Sequence, residues 1–560
     1  MFNRLSRFIR TIPQILLLTL IFPVLLDAQW SNDPYENILI SDMAAIPLLV
    51  SDGYGGCVLT YWSWEDYKIH ALRFDKLGYP CWGTEGVLID TDTLEHDNYV
   101  ICQADDNSTI IAYTKINPES PYYYFKLYAQ RLDSSGNRLW GDSGVFINSL
   151  DSVSIGYLGI TSNVEGGAYI TWTDSRTSSH QLYGQRIDSF GNIEWAPNGV
   201  CLSGGTGVTN LRPVTVTNTS NKLMVFWQVS SQSILRGQLI DADGTLNWGD
   251  EGILLPENLG EWNSGAADQS GGCILTGRIP LPGPGTFQHY SQRIDSAGTI
   301  LWGESCVAVS DTHTANSFHA PVVHNEFGSF IAWDDDRTGT YESYINNFSD
   351  EGMPLWGEFG IPVTISDTVT SMPNPCFTSD GNIVVVHMDA RSANTIRAQK
   401  FNLSGERLWD LNDIIISHNW SLTYDTYIVS DHNGGIFVCW PVYPALVYVQ
   451  QISSNGNLGE VLSVKSVPTE QFLTTFELLP AYPNPFNSKT NVKYFLNMPG
   501  MMSLTIFDLQ GRQVMVLDEG FKQPGNYSTT WKAGNIASGI YFLSLTQNNR
   551  QSAIPIIHIK

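Results

Sequence analysis

The chain is poor in basic residues. It has 30 Lys and Arg against 55 Asp and Glu, a net charge of −25 over 560 residues. Nucleic-acid binding depends on clustered cations that neutralise phosphates, so this balance excludes a nucleic-acid partner. An acidic surface instead favours a soluble protein, and we expect a monomer.

Long apolar runs are missing except near the N-terminus. Three arginines within the first ten residues precede an apolar run from Ile15 to Leu26, and the small residue Ala28 follows. This pattern is typical of a secretory signal peptide, and the run is short for a membrane span. We predict a signal peptide over residues 1–28, with an uncleaved N-terminal anchor as the alternative. We expect contact with a membrane only through surface attachment.

Cysteine pairs with metal-binding or redox spacing are absent. The eight cysteines are spread over the chain and no C-x-x-C occurs, which argues against zinc-ribbon and thioredoxin-like sites. Cys57 and Cys273 share a Gly-Gly-Cys context, and Cys201 and Cys306 both follow a repeated tryptophan. We interpret these cysteines as small core residues, with a disulfide as the alternative in an exported chain.

Catalytic motifs are absent as well. No G-x-S-x-G, H-E-x-x-H or phosphate-binding glycine loop occurs, and the grouping of His313, His319 and His324 is interpreted as incidental. We therefore assign no catalytic, cofactor-binding or metal-binding residues. Calcium is the alternative interpretation of the acidic stretches DADG at 241–244 and DDDR at 334–337, although neither completes a calcium-loop pattern.

One repeated phrase is abundant. YAQRLDSSGNRLW, YGQRIDSFGNIEW and YSQRIDSAGTILW begin at Tyr128, Tyr183 and Tyr290, and the glycine recurs eight times at spacings of 51 to 58 residues. The eighth copy, at Gly456, is degenerate because Glu460 stands where the others have tryptophan. The seven repeated tryptophans are Trp82, Trp140, Trp195, Trp248, Trp302, Trp356 and Trp409.

Each copy predicts four short strands. In the third copy we expect them at 157–161, 167–172, 181–188 and 200–203, separated by Gly, Asn, Asp and Ser. No stretch has a helical period of apolar residues, so the chain is predicted to be all-β. Four-stranded units of about 50 residues, repeated many times, predict a β-propeller.

The number of blades follows from ring closure. NILIS at 37–41 resembles the post-tryptophan strand GVLID at 86–90, although no repeat precedes it. An orphan strand at the N-terminus can complete the last blade, so we predict one closed propeller of eight blades over residues 36–465, followed by a linker at 466–475. Seven blades with an accessory hairpin is the alternative, because the eighth copy is weak.

The repeated phrase itself has a structural explanation. Its aspartate can bind turn amides, its glycine suits a left-handed turn, and its tryptophan can fill the wedge between blades. Three Asp-x-Arg pairs after second strands are candidates for polar ligand binding, but loop scaffolding is the favoured interpretation. They are Asp174 with Arg176, Asp335 with Arg337, and Asp389 with Arg391.

Aromatic residues cluster in two predicted loops. YWSWEDY spans residues 61–67 and PYYYF spans residues 121–125. Exposed rings can stack on sugars or contact a protein partner, whereas packing within the blades is the structural alternative. Any binding site should lie in such variable loops, where the blades differ.

The last 85 residues have a different sequence pattern. Six or seven short alternating strands without the repeat predict a small Ig-like antiparallel β-sandwich over residues 476–560. The segment resembles the type A C-terminal sorting domain of the type IX (Por) secretion system. The residues that carry this resemblance are Tyr482, Pro483, Asn484, Pro485, Phe486, Asn487, Gly511, Arg512, Gly539, Tyr541 and Lys560.

The resemblance implies a route rather than a substrate. It implies interaction with the type IX machinery and passage through the periplasm to the outer-membrane surface or the medium. We expect an exported propeller that binds a glycan or protein ligand without catalysis and without a cofactor. A polysaccharide hydrolase or lyase and a structural surface-layer component are the alternatives.

Overall fold

The protein is all-β, as predicted. The computed structural model describes residues 30–116, 125–148, 150, 153–177, 180–205, 213–229, 234–282, 286–311, 314–315, 320–365, 369–389, 395–410, 413–418, 426–443, 445–459, 476–478, 481, 483–496, 500–523, 525–534, 536–547 and 550–560. Among these, helix is confined to one turn at Glu257–Leu259, and no helix could span a bilayer. The predicted signal peptide lies outside the described residues.

The described chain forms two units, one within residues 30–459 and one within residues 476–560. The predicted limit at residue 465 and the linker at 466–475 fall outside the described residues, so these boundaries stay predictions.

The first unit contains eight antiparallel sheets in series, each used as one blade. The fourth strand of blade 8 is β1, Ile38–Ser41. The others, from the innermost outward, are β2 Ala44–Ser51, β3 Cys57–Ser63, β4 Ile69–Phe74 and β5 Val87–Leu88 in blade 1; β6 His96–Gln103, β7 Thr109–Ile116, β8 Phe125–Leu132 and β9 Val145–Asn148 in blade 2; β10 Ile155–Ser162, β11 Ala168–Asp174, β12 Gln181–Ile187 and β13 Val200–Cys201 in blade 3; β14 Val214–Thr217, β15 Leu223–Val229, β16 Ile234–Ile240 and β17 Ile253–Leu254 in blade 4; β18 Glu261–Ala267, β19 Cys273–Pro280, β20 Thr286–Ile294, β21 Val307–Ala308 and the extra β22 Thr314–Ala315 in blade 5; β23 Val322–Asn325, β24 Gly328–Asp335, β25 Glu342–Phe348 and β26 Ile361–Pro362 in blade 6; β27 Thr370–Phe377, β28 Ile383–Asp389, β29 Thr395–Phe401 and β30 Ile414–Ser417 in blade 7; β31 Tyr427–Ser430, β32 Ile436–Val442 and β33 Leu446–Ile452 in blade 8.

The sheets close into a ring of eight blades. The innermost strands of successive blades contact one another, and β31 of blade 8 contacts β2 of blade 1. The N-terminal strand β1 pairs antiparallel with β33, with Ile38 opposite Val449. The eight-bladed propeller is therefore confirmed, and NILIS is the closing strand.

Blade 3 shows how the phrase builds its turn. The Asp188 carboxylate accepts hydrogen bonds from the backbone N–H groups of Phe190 and Asn192, both at 2.8 Å. Gly191 has φ +89°, a left-handed conformation that a Cβ would penalise. The turn therefore needs both the aspartate and the glycine of the phrase.

The tryptophan of each copy joins its blade to the next one. Trp195 is buried, and its indole N–H donates to the Ala242 carbonyl in the turn of blade 4 at 2.8 Å. A Cβ on Gly244 would lie 3.3 Å from the Trp195 ring, so the turn glycine also gives the ring room. The other six pairs are Trp82–Ser134, Trp140–Ser189, Trp248–Ser296, Trp302–Asp350, Trp356–Leu403 and Trp409–Ser454.

The eighth copy is not degenerate but split between two parts of the chain. The indole N–H of Trp30 donates to the Lys76 carbonyl in the turn of blade 1 at 3.2 Å, as the other seven tryptophans do to their neighbours. The Gln450 amide donates to the Ser31 carbonyl at 2.9 Å, just as Gln185 donates to the residue after Trp195. Trp30 thus supplies the ring that the phrase at Gly456 lacks, which corrects the expectation from sequence.

The second unit is a sandwich of two antiparallel sheets. Its strands are β34 Phe476–Leu478, β35 Lys489–Leu496 and β38 Gly525–Lys532 in one sheet, and β37 Gln513–Lys522, β36 Gly500–Phe507, β39 Gly539–Gln547 and β40 Arg550–His558 in the other. Trp531, Leu504 and Leu543 are fully buried between the sheets. The unit therefore has a core of its own side chains.

All eight cysteines are free thiols. Cys57, Cys273 and Cys439 have no exposed surface, and burial raises the pKa of each thiol above its usual value. Buried neutral thiols of this kind act as small apolar side chains, in agreement with the interpretation from their sequence context.

Candidate functional site

The hairpin between β3 and β4 of blade 1 exposes aromatic side chains from the YWSWEDY stretch. Trp64 and Tyr67 are 46% and 43% exposed, and the Trp62 ring lies 4.6 Å from Trp64 and 5.6 Å from Tyr67 between centroids. The carbonyl of the exposed residue Met43 accepts a hydrogen bond from the Trp64 backbone N–H at 2.7 Å. We call Met43, Trp62, Trp64 and Tyr67 the aromatic patch.

Backbone hydrogen bonds fix the patch against blade 2. The Tyr67 N–H donates to the Ser63 carbonyl at 3.0 Å, and Tyr67 adopts a left-handed φ of 57° that closes the hairpin. The His96 N–H donates to the Tyr67 carbonyl, and the Trp62 indole N–H donates to the His96 carbonyl, both at 2.8 Å. The rings are therefore presented by an anchored hairpin, which lowers the entropy lost on binding.

The rim of the patch is acidic. Glu65 and Asp66 are exposed beside the rings, and the Asp66 carboxylate lies 3.0 Å from His70 Nε2. The cation of the hairpin, Lys68, is buried. The described part of the hairpin thus offers carboxylate acceptors to a ligand and turns its lysine inward.

A charged cluster lies beneath the hairpin, where blade 1 connects to blade 2. It consists of Lys68, Asp90, Asp92, His96 and Lys115. The Lys115 ammonium lies 2.7 Å from the Asp90 carboxylate and also binds Asp92, and Lys68 lies 3.6 Å from both acids. His96 Nε2 lies 3.0 Å from Asp90, while His96 Nδ1 accepts a backbone N–H at 3.0 Å. Two acids and two lysines balance each other's charge.

Protonation in the cluster is set by these contacts. Burial opposes ionisation of Asp90, but hydrogen bonds from His96 and Lys115 outweigh it and lower the pKa of the carboxyl. Burial lowers the pKa of His96, so its ring is neutral with its hydrogen on Nε2. The cluster is a satisfied ion-pair network rather than a set of groups poised to exchange protons with a substrate.

The cluster also contains a metal-like donor set. One ligand atom each of Asp90, Asp92 and His96 lies within 4.8 Å of the others. The two lysines already bind these carboxylates, so a metal ion would have to displace both ammonium groups. We assign the cluster a supporting role. Sequence reasoning missed it, although a lysine inside the apolar strand TIIAYTKI was a signal.

The Asp-x-Arg pairs are self-contained. In blade 3 the Arg176 guanidinium binds the Asp174 carboxylate at 2.5 Å and stacks 3.6 Å from the Tyr183 ring centre. The Trp172 indole N–H donates to the same carboxylate at 2.9 Å. Blade 6 repeats the arrangement with Trp333, Asp335, Arg337 and Tyr344. Their functional groups are used within the blade, as expected for scaffolding.

Of the third pair, the structure describes the aspartate alone. Asp389 lies 2.8 Å from Arg397 on the neighbouring strand, and Arg391 lies outside the described residues. Residues 121–124 of the second aromatic stretch, His313 and His319 also lie outside the described part of the chain.

The arginine of the repeated phrase lies at the edge of the blades opposite the aromatic patch, where it links neighbouring blades. Arg293 lies 2.7 Å from the Asp268 carboxylate of its own blade and donates to the Asp350 carbonyl of the next blade at 3.0 Å. Arg131 binds Asp106 and the Ser189 carbonyl in the same way. The repeated phrase therefore connects neighbouring blades and is not a ligand-binding motif.

Asp334, in the DDDR stretch, is a buried carboxyl with a raised pKa. Burial raises its pKa to about 7, against hydrogen bonds from the Met372 N–H at 2.9 Å and the Ser343 hydroxyl at 2.8 Å. A carboxyl that favours its neutral form is a poor calcium ligand. In the DADG stretch, Asp241 pairs with Lys222 at 2.6 Å, which likewise uses its carboxylate locally.

Asp334→Asn is expected to stabilise the protein above neutral pH. Because the folded pKa is raised from 3.8 to about 7, the stability that the neutral carboxyl contributes is present below pH 4 and is lost as the pH rises towards 7. At about 1.4 kcal/mol per pKa unit, the variant should gain a few kcal/mol at pH 8 and almost nothing at pH 4. Thermal unfolding at both values measures the difference.

Asp335→Asn is the matched control for this experiment. It removes the partner of Arg337, so we expect lower stability at both pH values. Equal unfolding temperatures for Asp334→Asn and the parent protein at pH 8 would contradict the assignment of a neutral buried carboxyl.

In the second unit, the YPNPFN stretch braces the last strand. The Asn484 side-chain oxygen accepts the Ile557 N–H at 2.8 Å. The Phe486 N–H donates to the Ile557 carbonyl at 2.9 Å, and the Phe486 carbonyl accepts the Ile559 N–H at 2.8 Å. The Phe486 ring packs 4.8 Å from Trp531. The stretch therefore holds the C-terminal strand against the core.

The other motif residues are distributed around the same unit. The Pro483 carbonyl accepts the Thr490 hydroxyl, Pro485 follows Asn484, the Asn487 carbonyl contacts His558, and Tyr482 lies outside the described residues. Gly511 and Arg512 form the turn closed by Asp508, Gly539 begins β39, the Tyr541 hydroxyl donates to Ala537, and the Lys560 N–H donates to Ser538. Their individual roles in sorting stay predictions.

Comparison with solved structures gives distant similarity. A polysaccharide lyase, Uly1, is 10% identical with a TM-score of 0.38, over 67% of this chain and 91% of the lyase. A puromycin hydrolase is 9% identical with a TM-score of 0.40; 82% of this chain is covered, but this chain spans only 59% of the hydrolase. An α-L-arabinanase of Penicillium chrysogenum is 11% identical with a TM-score of 0.28, over 64% and 96% of the two chains. Similarity at this level carries no argument about activity.

Comparison by sequence concerns the second unit. No curated protein matches the chain significantly. Residues 480–560 match the family described as the secretion system C-terminal sorting domain. The geometry of the YPNPFN stretch and the resemblance in sequence concern this same segment. Residues 480–560 are thus a type IX sorting domain, and the protein is secreted to the cell surface or the extracellular space.

Proposed function

We propose that the secreted propeller is a non-enzymatic, monomeric binding protein whose aromatic patch holds a carbohydrate. The observation that carries the proposal is the pair of exposed rings, Trp64 and Tyr67, on a hairpin anchored to blade 2. Flat rings cover the apolar faces of sugars, and carboxylates beside them accept hydrogen bonds from hydroxyl groups. The proposal requires no metal or cofactor.

The charge of the patch favours a neutral carbohydrate. Glu65 and Asp66 are exposed at its rim, and the whole protein carries a net charge of −25. A polysaccharide with carboxylate or sulfate groups would be repelled by this field, whereas neutral hydroxyls would not. The buried position of Lys68 supports the same choice, because the hairpin keeps its cation from a ligand.

Binding without catalysis is supported by the contacts of the acids at the edge of the propeller that carries the aromatic patch. Asp90, Asp174, Asp335 and Asp389 each contact a cationic side chain within the protein, and Asp334 is buried. Hydrolysis or elimination needs an acid and a base that can reach the substrate. Asp90, Asp174, Asp335, Asp389 and Asp334 are therefore better placed to support loops than to meet a substrate.

Trp64→Ala and Tyr67→Ala are each expected to weaken carbohydrate binding about tenfold, because each removes about 1–1.5 kcal/mol of ring stacking. The full-length protein is first screened on a glycan array, and calorimetry then measures binding of the neutral glycans it retains and of polygalacturonate. Phe190→Ala is the control, since Phe190 is 84% exposed but lies in a turn at the opposite edge.

Three results would overturn the proposal. Undiminished glycan binding by a Trp64→Ala/Tyr67→Ala double variant would place the site elsewhere, and the absence of any retained glycan would favour a protein ligand. New reducing or unsaturated ends released from a bound polysaccharide would establish the enzyme alternative.

A further inference from the structure

Three lysines converge on one cavity of the sorting domain. The cavity has a volume of about 380 Å³, and its lining includes Lys489, Lys532, Lys560 and His558. All three lysine side chains are exposed to solvent. Such a concentration of positive charge is notable in a chain with 30 basic and 55 acidic residues.

Two of these lysines are held in an unfavourable arrangement. Lys489 on β35 stands directly opposite Lys532 on β38 in the register of the sheet. Like charges at directly opposite positions of neighbouring strands destabilise the pair. Among the described residues, no Asp or Glu carboxylate forms an ion pair with Lys489 or Lys532.

A buried histidine adjoins the same cavity. His558 is 2% exposed, and its Nε2 lies 2.7 Å from the Asn487 carbonyl while its Nδ1 lies 3.0 Å from the Ala537 carbonyl. Carbonyl oxygens only accept hydrogen bonds, so these contacts hold the ring between two acceptors and fix one wall of the cavity.

The surrounding backbone fixes these groups in place. The Lys560 N–H donates to the Ser538 hydroxyl oxygen at 2.9 Å, and the Phe486 carbonyl accepts the Ile559 N–H at 2.8 Å. Lys489 and Lys532 are positioned by the β35–β38 ladder. The lysines therefore emerge from ordered backbone around one cavity, which limits the ordering cost of binding a shared ligand.

We propose that this cavity is an anion site that takes a phosphate group, either free or on a lipid headgroup. Ammonium groups from two strands and the chain end can contact different oxygens of a tetrahedral anion, and each is a flexible donor of three hydrogen bonds. A doubly charged phosphate also relieves the repulsion between Lys489 and Lys532. This site lies in the sorting domain and is independent of the carbohydrate proposal for the propeller.

The test compares the full-length protein with Lys489→Gln/Lys532→Gln and with Lys493→Gln. Lys493 is an exposed lysine of the same strand that does not line the cavity, so it is the matched control. Calorimetry with inorganic phosphate, at constant ionic strength set by chloride, is expected to show binding by the parent and by Lys493→Gln. Binding by the double variant should be at least tenfold weaker.

A second readout separates the site from a merely structural role. Without phosphate, the double variant should unfold at the same or a higher temperature than the parent, because the repulsion is removed. Phosphate should then raise the unfolding temperature of the parent but not of the double variant.

Vesicles distinguish the source of the phosphate group. Phosphatidylglycerol vesicles that bind the parent and Lys493→Gln but not the double variant indicate a lipid headgroup, whereas binding of inorganic phosphate alone indicates a free ligand. Either result supports the site. Equal phosphate binding by parent and double variant, or no binding of phosphate or vesicles by the parent, would overturn it.

Discussion

Deleting residues 474–560 is expected to abolish delivery to the cell surface while leaving the propeller folded. The sorting domain carries the recognised export signal, and its core consists of its own side chains, such as Trp531 and Leu504. The propeller keeps all eight blades and both halves of its split copy without it. In a host with the type IX machinery, the truncated protein should accumulate in the periplasm, as measured by fractionation and surface proteolysis.

A pair of point variants separates the fold of the sorting domain from its linear sequence. Trp531 is fully buried, and its replacement by alanine should cost about 3–5 kcal/mol, a large part of the stability of a domain this size. If the machinery reads the folded domain, Trp531→Ala should be retained in the periplasm like the deletion. Phe521→Ala, at a residue 62% exposed, should be delivered normally. Normal surface delivery of the deletion variant would refute the sorting role.

Trp30→Ala is expected to destabilise the propeller by about 3–5 kcal/mol, as large as the loss of any interior aromatic residue. Trp30 is 5% exposed, its ring lies 5.4 Å from Phe437 of blade 8 and 5.7 Å from Phe74 of blade 1, and its N–H reaches the Lys76 carbonyl. Denaturant unfolding of the full-length protein, followed by tryptophan fluorescence, measures the loss.

Two further alanine variants define what this result means. Trp195→Ala removes the equivalent ring of an uninterrupted copy and should cost about as much as Trp30→Ala. Trp64→Ala removes an exposed ring and should cost less than about 1 kcal/mol. A loss of stability in Trp30→Ala as small as that in Trp64→Ala would show that closure of the propeller does not depend on its N-terminal residues.

The blades were predictable from sequence because their signals are local. The turn of blade 3 depends on Asp188 and Gly191, which lie within four residues of each other. Trp30 could not be found by the same search. The repeat is recognised from a glycine followed four residues later by a tryptophan. This pattern cannot detect a copy whose tryptophan precedes its glycine by more than 400 residues.

The candidate site was predictable only in part, for a related reason. The stretch YWSWEDY identified the exposed rings, since aromatic residues in a predicted loop are visible in one segment. The cluster beneath them joins Lys68 and Asp90 of blade 1 with Lys115 of blade 2. These partners are brought together by the packing of two blades, and no local pattern specifies that packing.

The split eighth blade determines the order in which the propeller can be finished. Ser31 and Gln450 are 419 residues apart in the chain and are joined by a hydrogen bond. The N-terminal residues therefore cannot complete blade 8 until its other strands have formed. Closing a loop of that length carries a large entropic cost and slows folding. Any shortening of the chain that removes blade 8 therefore leaves Trp30, Ser31 and β1 without their partners, so an incomplete chain is an open arc with an unpaired N-terminal strand.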